Sequence, residues 1–108
     1  MIKYKNNLTQ TITTIGKNYN ANLTVKEIGK LAKKEIKKNY PDLKINVRTH
    51  NNYIYKSIEI DIKVKEINDK NLKIKSEIID ILNTFNYSII EPLSDFCEYN
   101  FNSIVNLR

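Results

Sequence analysis

The chain has one Cys, one His, two Gly, two Pro and no Trp among its 108 residues. A lone Cys97 excludes an internal disulfide framework and suits a reducing cytosol. With one His, one Cys and isolated glycines, metal clusters, catalytic dyads and phosphate-cradling loops have little to be built from. General acid–base and nucleophilic chemistry need a base held close to a nucleophile or substrate. The inventory therefore points away from an enzyme, a cofactor and a metal centre. No run approaches the roughly 20 apolar residues of a membrane helix, and Met1–Gln10 has no apolar signal-peptide core. The expectation is a cytoplasmic protein with no membrane partner. There is no internal repeat, and the length suits a single domain.

What the chain does have is lysine, unevenly spread. Residues 1–50 hold eleven Lys/Arg against three acids, or +8, and residues 51–108 hold seven against nine, or −2. A globule so divided presents a basic face to a polyanion and keeps an acidic face elsewhere. Lys, Asn and Ile are enriched throughout, as the codon bias of an AT-rich genome would produce.

The first strong element is a helix over 25–39. Thr24 followed by Glu27 has the spacing of a capping box, and Leu23 with Ile28 that of a hydrophobic staple. Val25, Ile28, Leu31, Ala32 and Ile36 recur at helical spacing on one side, with Lys26, Lys30, Lys33, Lys34, Lys37 and Lys38 on the other. Tyr40-Pro41 ends the helix. A strand over 43–49 follows, with Leu43, Ile45 and Val47 alternating with Lys44, Asn46 and Arg48. Thr49–Asn52 reads as the turn to a second strand over 54–65, in which Ile54, Ile58, Ile60, Ile62 and Val64 share one parity.

A second helix over 70–86, N-capped by Asn68 or Asp69, carries the stripe Ile74, Ile78, Ile81, Leu82 and Phe85. Tyr87–Asp95 reads as loop around Pro92, and 98–105 as a weaker edge strand. Residues 1–22 read as a strand or arm with a polar linker at 16–22, preceding a single domain over 23–108. The fold class is α+β: a small antiparallel sheet of three or more strands with two amphipathic helices on one face. The other face should carry Lys44, Asn46, Arg48, Tyr53, Tyr55, Glu59, Asp61 and Lys63.

The run from Thr24 to Arg48 resembles the large polyvalent protein-associated domains, small units found alone or fused in very large phage and mobile-element polypeptides. The resemblance rests on a lysine-rich helix opened by Val25-Lys26-Glu27-Ile28, the exit Tyr40-Pro41-Asp42-Leu43-Lys44, and the strand end Val47-Arg48. The alternating second strand and a helix ending at Phe85 extend it over roughly residues 24–86. It implies a phage or mobile-element product working inside a bacterium. In size and lack of catalytic motifs, anti-CRISPR proteins are similar.

Two surfaces are candidate binding sites. The lysine stripe Lys26, Lys30, Lys33 and Lys37, flanked by Lys34 and Lys38, could neutralise phosphates; its alternative is a solvated helix face. The sheet's outward face sets Tyr53 and Tyr55 beside Lys44 and Arg48, suited to base stacking or to protein contact, with Glu59 and Asp61 favouring protein. Glu59 and Asp61 lack a third ligand for a cation. His50 reads as a surface turn residue and Cys97 as inert packing. The acids Glu77, Asp80, Glu91, Asp95 and Glu98 could mimic nucleic acid or simply be solvated.

The leading expectation is a non-enzymatic binding protein that sterically inhibits a host protein or nucleoprotein effector, in the manner of an anti-CRISPR. The lysine helix and the Tyr53/Tyr55 face would supply the contacts. The alternatives are a nucleic-acid-binding accessory domain for RNA or DNA, and a homodimerisation module pairing through the 99–105 edge.

Overall fold

The helix at the head of the sequence pattern forms with the expected ends. In the computed structural model, which describes residues 2–8, 10–52 and 55–108, α1 spans Val25–Asn39. Thr24 Oγ1 accepts from the Glu27 amide at 3.2 Å, and the Glu27 carboxylate accepts from the Thr24 amide in return. Those two bonds satisfy donors that a helix start otherwise leaves open. The Thr24 amide, foremost, and the Thr24 hydroxyl, which donates to Glu27 Oε1 at 2.9 Å, hold the Glu27 carboxyl below its ordinary range.

Val25, Ile28, Gly29, Ala32 and Ile36 form the buried stripe. Leu31, expected among them, is 42% exposed. At about 100° per residue it lies roughly 120° round from Val25, outside the arc that faces the sheet. Gly29 takes the inward place instead: a Cβ there would stand 2.8 Å from Thr49 Cγ2. Its absence lets the helix settle onto the strand below.

That strand is β3, Ile45–Asn51, antiparallel to β4, Lys56–Ile62. The expected turn at 49–52 is instead the end of β3, and His50 is a strand residue opposite Ser57. The connection begins at Asn52, whose side chain accepts from the Tyr55 amide at 2.8 Å. Tyr53 and Ile54 lie outside the described residues. α2 spans Asp69–Asn83 and is capped by Asn68, which accepts from the Asn71 amide. It ends short of the expected 86, and Phe85 is buried just beyond it.

The last strand, β7 at Asn102–Leu107, pairs parallel with β4, giving a three-stranded mixed sheet in the order β3-β4-β7. A parallel neighbour requires a crossover, and α2 lies in the segment that makes it. Both helices cover one face. Ile58, Ile60 and Ile62 of β4 are fully buried against Ile28, Ala32 and Ile36 of α1 and Ile78 and Leu82 of α2, with Phe101 and Val105 completing the core. Burying each such aliphatic side chain contributes about 1.5–3 kcal/mol.

The remaining segments form a second sheet. β1 (Ile2–Lys5), β2 (Ile12–Ile15), β5 (Tyr87–Glu91) and β6 (Phe96–Tyr99) join in that order, all antiparallel. Three expectations change here. The arm is a hairpin, the loop at 87–95 contains β5, and the strand at 98–105 is two strands in different sheets, broken at Asn100 and Phe101. The fold is α+β, with this sheet as an addition to the two-layer body. No residue of its four strands is buried, and none belongs to the core. It is a wing on an elongated molecule of 48 × 30 × 23 Å.

One joint attaches the wing. The Gly16 and Asn18 amides donate to the carbonyls of Asn86 and Thr84 at 2.8 and 2.7 Å, carrying the β2 path along the end of α2. A side chain at Gly16 would run into the Asn83 and Thr84 carbonyl oxygens. Asn86, 7% exposed, clamps Phe101: its Oδ1 accepts from the Phe101 amide at 3.2 Å and its Nδ2 donates to the Phe101 carbonyl at 2.9 Å. Oδ1 also accepts from the Tyr87 amide at 3.0 Å.

Candidate functional site

Helix periodicity places the six lysines of α1 on the arc opposite the buried stripe. Lys26, Lys30, Lys33, Lys34 and Lys38 are exposed, and Lys37 is half-buried with its ammonium donating to the Leu43 carbonyl. From Lys26 to Lys37 the stripe runs about 16 Å at 1.5 Å per residue. No lysine of the chain forms an ion pair among the described residues. All four ion pairs instead join the two arginines to Glu59 and Asp61.

Those pairs occupy the outward face of the mixed sheet. Register sets Arg48 opposite Glu59 and Asp61 beside Asn106. Arg48 Nη2 donates to Asp61 Oδ2 at 2.8 Å and pairs with Glu59 Oε1. Arg108 Nε and Asn106 Nδ2 each donate to Asp61 Oδ1 at 3.0 Å. The Asn106 hydrogen bond, foremost, lowers the Asp61 carboxyl below its ordinary range; burial opposes this, and the charges of Arg108 and Arg48 reinforce it. Two cations and two anions thus close a neutral lattice across three strands. Arg48, expected to be a free bidentate donor for phosphate, has both carboxylates for partners. Glu59 and Asp61, weighed as a cation site, are held by guanidinium and amide groups.

The structure also separates what the sequence grouped together. α1 packs on the inner face of β3, where Val47 and Thr49 approach Gly29, whereas Arg48 has the opposite parity and points outward. The lysine stripe and the Arg48 side are therefore on opposite sides of the body and form no common surface. Lys44 is exposed near the second of these, at a recess of about 390 Å³ lined by Lys44, Asn46, Asp61, Lys63 and Arg108. Tyr55 is 43% exposed next to the β3–β4 connection. Tyr53, its proposed partner in stacking, lies outside the described residues.

Among the described residues no group of three or more His, Cys, Asp and Glu side chains could hold a metal ion. No helix among them is long and apolar enough to cross a membrane. Cys97, expected to be packed, is exposed on β6, an edge strand of the wing. His50 is exposed, with the outward parity of Arg48. Sequence reasoning passed over Arg108 and Asn106; extending strand parity past Val105 would have set both on the face of Asp61.

In comparisons with known proteins, no family model, no curated protein and no solved structure matches this chain.

Proposed function

We propose that the protein is a non-enzymatic binding module that acts by occupying a nucleoprotein, with the lysine face of α1 seated on nucleic-acid phosphates. The observation that carries this reading is the division of charge. The acids beneath the two arginines pair with those arginines and with Asn106, so among the described residues the α1 lysines remain as a row of cations that form no ion pair, the nearest charge effect being that of Lys30 on Glu27. Such a row neutralises phosphates without reading bases, and its affinity is set by counterion release. The rigid, capped helix holds the charges on one line. Arg48, tied into its lattice on the other side of the body, takes no part.

Inhibition of a host defence effector, in a phage or mobile-element setting, is the concrete form of this reading. Its mechanism is steric: the effector's guide or substrate strand is covered, and no bond is made or broken. The test is affinity capture from bacterial lysate with the wild type and the Lys30→Glu/Lys33→Glu variant, each with and without nuclease. Recovery of one stoichiometric nucleoprotein by the wild type, lost with the variant, is the expected result. Equal recovery by both would overturn the assignment to α1. Recovery of bulk nucleic acid alone would favour the accessory-domain alternative.

A further inference from the structure

Strand register sorts the wing's side chains onto two faces, since residues directly opposite in an antiparallel pair share a face. Tyr4, Ile89 and Glu98 fall on one row, with Ile2 on the row to one side and the Glu91–Phe96 pair on the row to the other, all on the same face. Lys3, Lys5 and Tyr99 project from the opposite face. Charge is therefore segregated by parity: the strand residues of the first face include two carboxylates and no cation, those of the second two ammonium groups and no acid. A sheet that rests on no core is free of the usual inside–outside pattern, so this sorting needs its own account.

The first face is also apolar. Six of the ten large hydrophobic side chains exposed among the described residues belong to the wing, and Ile2, Tyr4 and Phe96 are 51%, 55% and 47% exposed on this face. At the Ile2 end of the same face Tyr19 packs edge-on against Tyr87, ring centroids 5.3 Å apart. Four strands about 4.8 Å apart and some 14 Å long present roughly 270 Å². That is short of the ~800 Å² per partner of a stable interface, so the face by itself suits a small, weak contact with any protein. Face-to-face stacking of two copies would also bring four carboxylates together, and a phosphate chain would meet the same two charges.

We propose that this face of the wing docks a lysine- or arginine-bearing protein surface, whose apolar groups cover Ile2, Tyr4, Ile89 and Phe96 while its cations meet Glu91 and Glu98. The hairpin tips extend the contact, since Leu8 and Leu93, 93% and 76% exposed, stand at the same end of the sheet. The inference is independent of the role given to α1, which belongs to the body.

The test uses the full chain, ¹⁵N-labelled, titrated with a short amphipathic Lys/Leu peptide and, separately, with its Glu/Leu counterpart. The expected result is amide shifts at Ile2, Tyr4, Ile89 and Glu98 with the basic peptide only. Tyr4→Ala, or Glu91→Gln with Glu98→Gln, should weaken binding roughly fivefold or more, as two exposed charge pairs allow. Unchanged shifts in the body show that each variant folds. Shifts centred on other acids, equal binding of the acidic peptide, or a wing-mediated dimer in sedimentation abolished by the same Glu variants would each overturn the proposal. An oligothymidylate titration in the same series reports on α1 separately, so either reading can fail alone.

Discussion

Replacing Asn86 with Ala should cost more stability than any other single polar substitution in this protein. The side chain makes three hydrogen bonds to backbone: two to Phe101, which is 1% exposed, and one to the Tyr87 amide. Alanine leaves the Phe101 amide and carbonyl without partners in a place water does not reach. Each orphaned buried group costs about 1–3 kcal/mol, so the substitution should cost about 2–6 kcal/mol. Against a typical stability of roughly 5–15 kcal/mol this is a large share, and at about 4 °C per kcal/mol the midpoint should fall by roughly 8–24 °C. Asn86→Asp keeps the acceptor toward both amides but sets a carboxylate oxygen against the Phe101 carbonyl, so near neutral pH it should cost at least as much as alanine, through repulsion and the burial of charge. Urea unfolding followed by circular dichroism measures all three proteins, with exposed Asn83→Ala as the control. A loss under about 0.5 kcal/mol for Asn86→Ala, the level of an ordinary surface change, would refute the claim that this residue joins wing to body.

The same joint makes Gly16→Ala destabilising by about 2 kcal/mol or more, because the obstructing atoms are backbone carbonyls that cannot rotate aside; urea midpoints check it, and a neutral result would show that β2 does not run against α2. The outward lattice makes stability acid-sensitive in a defined direction. The Asp61 carboxyl titrates below its ordinary 3.8, so its contribution is fully present above that value and is lost as the pH falls through the lower folded value. The stability gap between wild type and Asp61→Asn should therefore be constant from pH 7 to about 5 and narrow below pH 3.8. Thermal melts across that range test it, and a gap unchanged down to pH 2 would contradict it. Thr24→Ala should cost about 1 kcal/mol through the lost cap, with Thr24→Ser restoring most of it in the same assay.

The parts legible in the sequence are those laid against the core. α1 was readable to the residue because Thr24 and Glu27 mark its start and Tyr40-Pro41 its end. β4 was readable because Ile58, Ile60 and Ile62 must all face one way. β2 and β5 carry no such mark. Ile12 and Ile15, like Ile89 and Ile90, point to opposite faces of a sheet with no buried side, so alternation never develops. The usable signals were the β-branched run Thr11–Ile15 and the four turn-forming residues Pro92–Asp95 between two short β-prone stretches. Asp95 takes a left-handed φ of 55° in that turn, and Gln10 a φ of 60° in the other. Phe101 read as a strand residue because sequence gives no sign of the Asn86 clamp that turns it inward. The lysine face was visible as a row of charges, but its separation from Arg48 depends on which face of β3 receives the helix. No local pattern encodes that.

The most direct test of the account is the salt dependence of nucleic-acid binding, measured by fluorescence anisotropy with a labelled oligonucleotide of mixed sequence. Four phosphates neutralised by the α1 stripe predict a log–log slope of roughly −3 to −4, so a fourfold rise in salt should weaken binding by about 50- to 150-fold. Lys30→Glu with Lys33→Glu should remove about two from that slope, whereas Arg48→Ala should leave it unchanged. A slope near zero, or a slope that follows Arg48 and ignores the α1 lysines, would contradict the central claim.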